Sequence, residues 1–584
     1  MRIRQAKTSY PKHVVFRKKY NEIWPLIIRL FREEKQDITV VFVYGVVASI
    51  LGLVVPLSSQ AIVNAVALGV HTEQLVVLCG IVLFAMLAMA VILVFQRHVI
   101  DYIQRRQFIV TARDIVAHLP KVQESVYEET YAPELVNRFF DVVTVQKSIS
   151  KFLLDGMAAL LSLLSGLIVL GIYHPIFLIY DILFLMFIPV LVFVLGRNAL
   201  STAIDESSNK YRTVEWIEEV ARSHRSIKQR LASGYATNKV EDLAFTYAEA
   251  KEQHFRILAR QILGSYVFKA FAIVGILALG GDLVIRQQIS LGQLVAAEII
   301  IVLLLNSLDK LLSVFDTFYE FAAALTKIQS LKDLPIESDG RATLTPGQSV
   351  PAAVFCDVVL PTSTSGVKDK SLSCMIEAGT STALVASNPH EASHIGKLLC
   401  GLHHCVTGHV EVFGVHANTV RVDDLHTHLC YIDREDVVHQ ATIYDNISMG
   451  RDIDSNLLKE ILRITHLDEE VRQLANGIHT ATSTLGRNLT HSLRARIALA
   501  RGLAGKPSLL VVGGLPELFE PAIQLQIIKA VQSIKGLTSV WISLDRKVIT
   551  SCTNVVVVHD GKLEYEGASS EALTHSVLLQ SIAH

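Results

Sequence analysis

Apolar residues gather in the N-terminal half of the chain into six stretches, approximately Thr39–Val63, Leu75–Phe95, Phe152–Tyr173, Ile176–Leu195, Ile262–Val284 and Leu291–Leu312. Each is long enough to cross a bilayer, which takes about 20 residues of helix. The connections alternate. Those after the first, third and fifth stretches are short, whereas those after the second and fourth run to about 55 and 65 residues, polar and with helical periodicity. A helix of about 25 residues spans roughly 37 Å, so each long connection predicts two helices extending well below the membrane. The alternative, a pair of separate soluble insertions, lacks hydrophobic runs suited to cores of their own. Ahead of the first stretch, Tyr20 to Phe31 mixes charged and apolar positions at helical spacing, as an interfacial lead-in helix does.

Composition agrees with a membrane protein: hydrophobic residues make up 51%, charged residues 19%, and the mean hydropathy is +0.40. The distribution of Lys and Arg sets the orientation. The first 37 residues hold 10, segment 97–151 holds 8 and segment 197–260 holds 11, whereas the short loops hold only Arg286. By the positive-inside rule both termini and both long connections are cytosolic. No cleaved signal peptide is visible in Met1 to Asp37, and no organelle-targeting segment, so the expected location is a bacterial inner membrane or its equivalent. A net charge of −1 excludes the basic surplus that a nucleic-acid partner requires. The lipid bilayer is therefore the first expected partner.

Asp181, Lys269 and Glu298 fall well inside the spans. Charges at that depth face a bundle interior or water. They suit a substrate path or proton relay, with Asp181 and Lys269 as a candidate pair, or a structural ion pair without further chemistry.

Hydropathy falls after about Leu331, and Asp333–Pro351 is a linker rich in Pro, Gly, Ser and Thr. Beyond it short Val/Leu/Ile runs (Thr382–Val385, Ser508–Val512, Ser539–Ile542, Asn554–His559) alternate with helical patterns, predicting an α/β domain with a largely parallel sheet. Six of the seven cysteines lie in this C-terminal part, in no disulfide-like pattern.

Framing residues of this part resemble the nucleotide-binding domain of ABC transporters of the exporter kind. Arg494-Ala495-Arg496-Ile497-Ala498-Leu499-Ala500-Arg501 is similar to the helix after the family's signature loop. Ala441-Thr442-Ile443-Tyr444-Asp445-Asn446-Ile447 is similar to the stretch just after its Q-loop, and Val555 to Lys562 with Glu566-Gly567 to its closing strand and turn. Tyr131-Ala132-Pro133-Glu134-Leu135-Val136-Asn137-Arg138 resembles the intracellular segment after the second membrane helix. The resemblance implies four parts: a basic N-terminus with its interfacial helix (1–37), an all-α six-helix transmembrane domain with long cytosolic extensions (38–332), a linker (333–351), and an α/β P-loop-type, ABC ATPase-like domain (352–584).

The same resemblance exposes what has been replaced. A P-loop needs glycines that bring backbone N–H groups close, a lysine for the terminal phosphates and a hydroxyl on magnesium. The matching stretch runs from Ala386 to His394. Ala386, Pro389 and Glu391 stand where the family has glycine, Ala392 stands at the lysine position, and only Ser393 is as the family has it. Pro389 removes a backbone donor as well. A carboxylate such as Glu391, about 5 Å from a phosphate charge, is repelled by roughly 3 kcal/mol at an effective dielectric near 20. Gly513 and Gly514 replace the Walker B aspartate and glutamate, which hold magnesium and activate the attacking water. Arg434 occupies the Q-loop glutamine position and Asp545 the switch-histidine position. The signature loop reads Leu489-Thr490-His491-Ser492-Leu493, and no aromatic residue between Cys356 and Gly401 could stack on adenine. The reading is a degenerate site with no catalytic residues, binding ATP and Mg weakly or not at all.

The family works as dimers, each ATP site built from one chain's P-loop and the other's signature loop. Three readings follow. The chain is the non-hydrolysing half of a heterodimeric exporter, or an ATP-independent homodimeric receptor, scaffold or regulator, or a carrier driven by an ion gradient through Asp181, Lys269 and Glu298. The resemblance to peptide- and protein-secreting exporters adds a periplasmic adaptor as a candidate partner. Cys400, His403, His404 and Cys405, with His390 and His394 nearby, are of metal-binding types. Their spacing matches no common zinc module, and no metal is expected. A short terminal helix is expected between Glu571 and His584, either packed on its own domain or serving as a dimer contact.

Overall fold

The computed structural model describes residues 20–67, 72–129, 132–228, 232–360, 371–436 and 438–582. Most of the basic N-terminus, Tyr131 and the last two residues of the C-terminal segment lie outside the described residues. Contacts divide the chain into two compact units, Met1–Pro120 with Thr130–Leu334, and Lys121–Glu129 with Pro335–His584. The short segment Lys121–Glu129 thus belongs with the C-terminal unit.

Among the described residues, six helices of the first unit are long and apolar enough to cross a membrane: Lys35–Ala67, Leu75–Lys121, Leu135–Tyr173, Phe177–Leu195, Ser233–Ile285 and Leu291–Lys332. The lead-in helix is Tyr20–Glu33. The polar connections continue the spans as helices, and Ala199–Arg222 packs along Ala232–Ile285, where the indole N–H of buried Trp216 donates to Ala236 O at 3.1 Å. The first span is interrupted between Lys35–Gly52 and Val54–Ala67. Pro56 cannot donate to the carbonyl a turn earlier, so the ladder is re-made by Leu53 N–H to Ile50 O at 3.1 Å and Leu57 N–H to Leu53 O at 3.2 Å.

Large apolar side chains such as Phe84, Phe193 and Phe271 stand exposed on these helices, which suits contact with lipid. The most buried span is the last, begun by a capping box in which Ser290 Oγ accepts from Gln293 N–H at 3.1 Å. Its Ile300, Leu304 and Leu308 join Leu170, Phe177, Phe184 and Ile276 in one core.

Of the three membrane charges, Lys269 does not take Asp181, its candidate partner. Lys269 pairs with Asp309, not with Asp181, because Ser233–Ile285 and Leu291–Lys332 are packed neighbours joined by a short connection that brings these two positions together. Asp181 is buried beside Gly171, and Glu298 is exposed.

Among the described residues the second unit has ten strands: β1 (Ala353–Val358), β2 (Leu372–Ile376), β3 (Ser381–Ala386), β4 (His409–Val412), β5 (Val415–His416), β6 (Leu429–Asp433), β7 (Leu509–Gly513), β8 (Thr538–Ile542), β9 (Asn554–His559) and β10 (Lys562–Ala568). An antiparallel sheet has the order β2-β1-β4-β5. The larger sheet, β10-β9-β3-β8-β7-β6, is parallel except for β10. Strands β3, β7 and β8 are buried along their whole length, which is why they read as unbroken apolar runs. The pleat sends Ala383 and Val385 of β3 into one core and Leu384 and Ala386 into the other. The C-terminal segment forms two short helices, Ser569–His575 and Val577–Ile582, broken at Ser576, and Ala572 and Leu579 pack into the unit's own core.

Candidate functional site

The larger sheet presents the ends of β3, β6, β7 and β8 to a cleft of about 1290 Å³. Strand β3 ends at Ala386, and after Ser387 and Asn388 the helix Pro389–Leu399 begins. The local sequence forms a well-capped helix start. Asn388 Oδ1 accepts from His390 N–H at 3.0 Å, Asn388 O accepts from Ala392 N–H at 3.1 Å, and Pro389 sits in the first turn. Ser387 N–H donates to Val558 O at 3.2 Å. The donors that would turn toward a phosphate are thus largely committed within the domain. Ser393 keeps its hydroxyl but shares it with Tyr431 on β6, Oγ to Oη 2.9 Å. Glu391 is buried, and burial first, then the neighbouring Asp560, raises its carboxyl above the usual range against hydrogen bonds from Gly561 and Ser387.

At the far end of β7, Gly513 and Gly514 are closed in by Arg434. Arg434 Nε donates to Gly514 O at 2.7 Å, and Nη2 lies 3.3 Å from Glu517 Oε2. Gly514 has φ of +63°, and a Cβ added there would stand 2.4 Å from Arg434 Nε. The guanidinium therefore occupies the space into which a side chain at 514 would project. The hydrogen bonds continue from Ser543 Oγ to Glu517 Oε1 at 2.7 Å, from Asp545 N–H to Ser543 Oγ at 3.0 Å, and from Gln524 Nε2 to Asp545 Oδ2 at 3.1 Å. Asp545 also caps the next helix by accepting from Lys547 N–H at 2.8 Å. One polar network thus joins Arg434, Gly514 and Asp545, three positions read from the sequence as vacated.

Residues 38–308 match the family described as the ABC transporter transmembrane region. The chain is similar to the mycobactin import ATP-binding/permease protein IrtB of Mycolicibacterium smegmatis, 24% identical over 382 residues that make up 64% of each protein. It is also similar to the mitochondrial ATP-dependent permease MDL1 of Schizosaccharomyces pombe, 25% identical over 460 residues, 74% of this chain and 61% of that one. The matched segments span less than two thirds of these two relatives' own length. A solved structure of a bacterial Atm1-family ABC exporter with ATP bound has the same fold, with a TM-score of 0.82 at 16% identity, covering 94% of this chain and 98% of that chain. The chain thus carries an ABC transporter transmembrane region and has the fold of an Atm1-like ABC exporter. It is an integral membrane protein.

The positions read as the signature loop lie elsewhere on the same unit. Thr490 caps the helix His491–Ala504, its Oγ1 accepting from Leu493 N–H at 3.1 Å. His491 is exposed and its Nδ1 lies 2.9 Å from Arg494 Nη2, whereas Ser492 is buried and points no hydroxyl outward. Only His491 of this pair could crowd an approaching ligand.

The candidate metal-ligating residues separate. His394 and His403 meet, Nδ1 to Nδ1 2.9 Å, while Cys400 is buried and His404 bonds Asn418. Among the described residues no three His, Cys, Asp or Glu side chains are placed to share a metal ion. Burial, followed by the charge of His403, lowers the His394 pKa to about 4. Lys397, 11% exposed, reaches Glu124 Oε1 at 3.1 Å and Glu128 Oε1 at 2.6 Å, and His403 Nε2 lies 3.3 Å from the same Glu128 oxygen. Burial works against the Lys397 charge, but the two carboxylates outweigh it and raise its pKa.

Glu517, Tyr431, Glu124 and Glu128 escaped the sequence reading. Glu517 follows the vacated Gly514 by three residues, close enough in the chain for its carboxylate to have been weighed. Nothing in the chain signals that Tyr431 or the distant Glu124 and Glu128 would face the helix Pro389–Leu399.

Proposed function

We propose that this chain is a half-transporter of the ABC exporter kind, a subunit of an export complex that hydrolyses ATP poorly or not at all. The observation that carries the proposal is Arg434, whose guanidinium fills the space above Gly514 and is held there by Gly514 O and Glu517. An ATPase needs a carboxylate in that region to activate water. Here a cation anchored by a neutral backbone and a glutamate takes its place. Pro389, Ala392 and the Ser393–Tyr431 hydrogen bond support the same reading at the phosphate end.

ABC half-transporters function as dimers in membranes, so a motif-intact partner or a second copy completes the assembly. A carrier built on Asp181, Lys269 and Glu298 is disfavoured, since Lys269 is paired with Asp309 and Glu298 stands apart.

The test is ATP binding and turnover by the full-length protein in lipid nanodiscs. Beside it runs a variant carrying Pro389→Gly, Glu391→Gly, Ala392→Lys, Gly513→Asp, Gly514→Glu and Arg434→Gln. Absence of both activities in the native protein is the expected result, and turnover at an ordinary transporter rate refutes the proposal. Co-purification of a motif-intact half distinguishes a heterodimer from a homodimeric scaffold.

A further inference from the structure

The charge of the cleft is inverted relative to what a nucleotide requires. Among the residues lining it, carboxylates outnumber Lys and Arg by eight to two. Both cations are already engaged. Arg434 is held by Glu517, and Lys397 by Glu124 and Glu128. The surplus is carried by Glu391, Asp433, Glu435, Asp545 and Asp560. Fields of like sign add within a cleft whose walls are poorly polarisable, so the space repels polyphosphate and concentrates cations.

Glu391 supplies an independent observation. It lines the cleft and is 9% exposed, and although its carboxyl is approached by Gly561 N–H and the Ser387 hydroxyl, its Oε1 has no hydrogen-bond partner among the described residues. A buried carboxylate oxygen left unmet costs free energy that a cationic donor would recover. A metal ion needs several ligands converging at 2.0–2.6 Å. No such convergence occurs among the described residues, and the carboxylates are spread through a cleft of about 1290 Å³. That dispersion suits a ligand whose positive charges are themselves spread along a chain.

We propose that the vacated nucleotide cleft binds a small organic polycation of the polyamine class, with Glu391 as its buried anchor. Several ammonium groups along a flexible apolar stem can each meet a carboxylate. Each such charge-assisted hydrogen bond is stronger than a neutral one. The proposal rests on the reading that ATP does not occupy this cleft.

The experiment titrates spermidine and, separately, Mg-ATP into the full-length protein in phosphatidylcholine nanodiscs, using calorimetry and thermal unfolding. Spermidine is expected to bind and to raise the melting temperature, as any ligand of the folded state does. Binding should weaken as salt rises. Glu391→Gln, which keeps the shape of the side chain, should raise the spermidine Kd by about tenfold. Glu435→Gln, at an exposed position on the same cleft, should raise it by less. No spermidine binding, or binding indifferent to both substitutions, overturns the proposal. Tight ATP binding in the parallel titration instead overturns the functional reading beneath it, so the two failures are distinguishable.

Discussion

Substituting Gly514→Glu alone, the step that would return the catalytic carboxylate, is predicted to destabilise the second unit without restoring turnover. Two costs combine. Gly514 sits at φ +63°, where a side-chain-bearing residue costs about 1–2 kcal/mol. The new Cβ would also stand 2.4 Å from Arg434 Nε, so the guanidinium must leave. Leaving breaks its 2.7 Å bond to Gly514 O and its contact with Glu517. Hydrogen bonds to charged groups contribute about 1.5–3 kcal/mol, and the exposure of Arg434 favours the lower end. The sum is about 3 kcal/mol. In an Arg434→Gln background the collision is largely removed, and Gly514→Glu should then cost only the backbone component of about 1 kcal/mol. The difference, about 2 kcal/mol, is the coupling energy of a double-mutant cycle. It is read from thermal unfolding of the full-length protein, with the buried Trp541 of β8 reporting on the second unit. A Gly514→Glu variant that melts with the native protein, or an identical loss in both backgrounds, would refute the account of Arg434.

Three further outcomes are expected. Replacing Lys397 by Met leaves Glu124 and Glu128 without their shared cation and should cost about 1 kcal/mol in thermal unfolding, since only the lysine is buried and solvent screens the two partly exposed carboxylates. The His394 pKa is depressed to about 4 in the folded state, so the unfolded chain binds the proton first as pH falls, and His394's contribution to stability should decline from its unfolded value near 6.5 down to about 4. His394→Gln should flatten melting curves over that pH range, and an unchanged pH dependence would remove the assignment. In the first unit, Lys269→Met and Asp309→Asn should be non-additive in a detergent unfolding cycle, whereas Lys269→Met with Asp181→Asn should add.

Much of the architecture was legible in the sequence because its signals are local and periodic. Each of the six spans announced itself by length and hydropathy, and β3, β7 and β8 by apolar runs that only a doubly covered sheet can bury. The replacements at Pro389, Ala392, Gly513 and Gly514 were equally readable, since losing a donor, a cation or a carboxylate is a property of the residue itself. What filled the vacated space was decided by tertiary structure. Arg434 and Gly514 lie 80 residues apart in the chain, and only the pairing of β6 beside β7 brings the guanidinium onto the glycine carbonyl. Lys397 reached back 273 residues to Glu124, and Lys269 found Asp309 in place of Asp181 because the choice of ionic partner follows helix packing. Periodicity records which face of an element is buried. It carries no information about which distant charge will be waiting there.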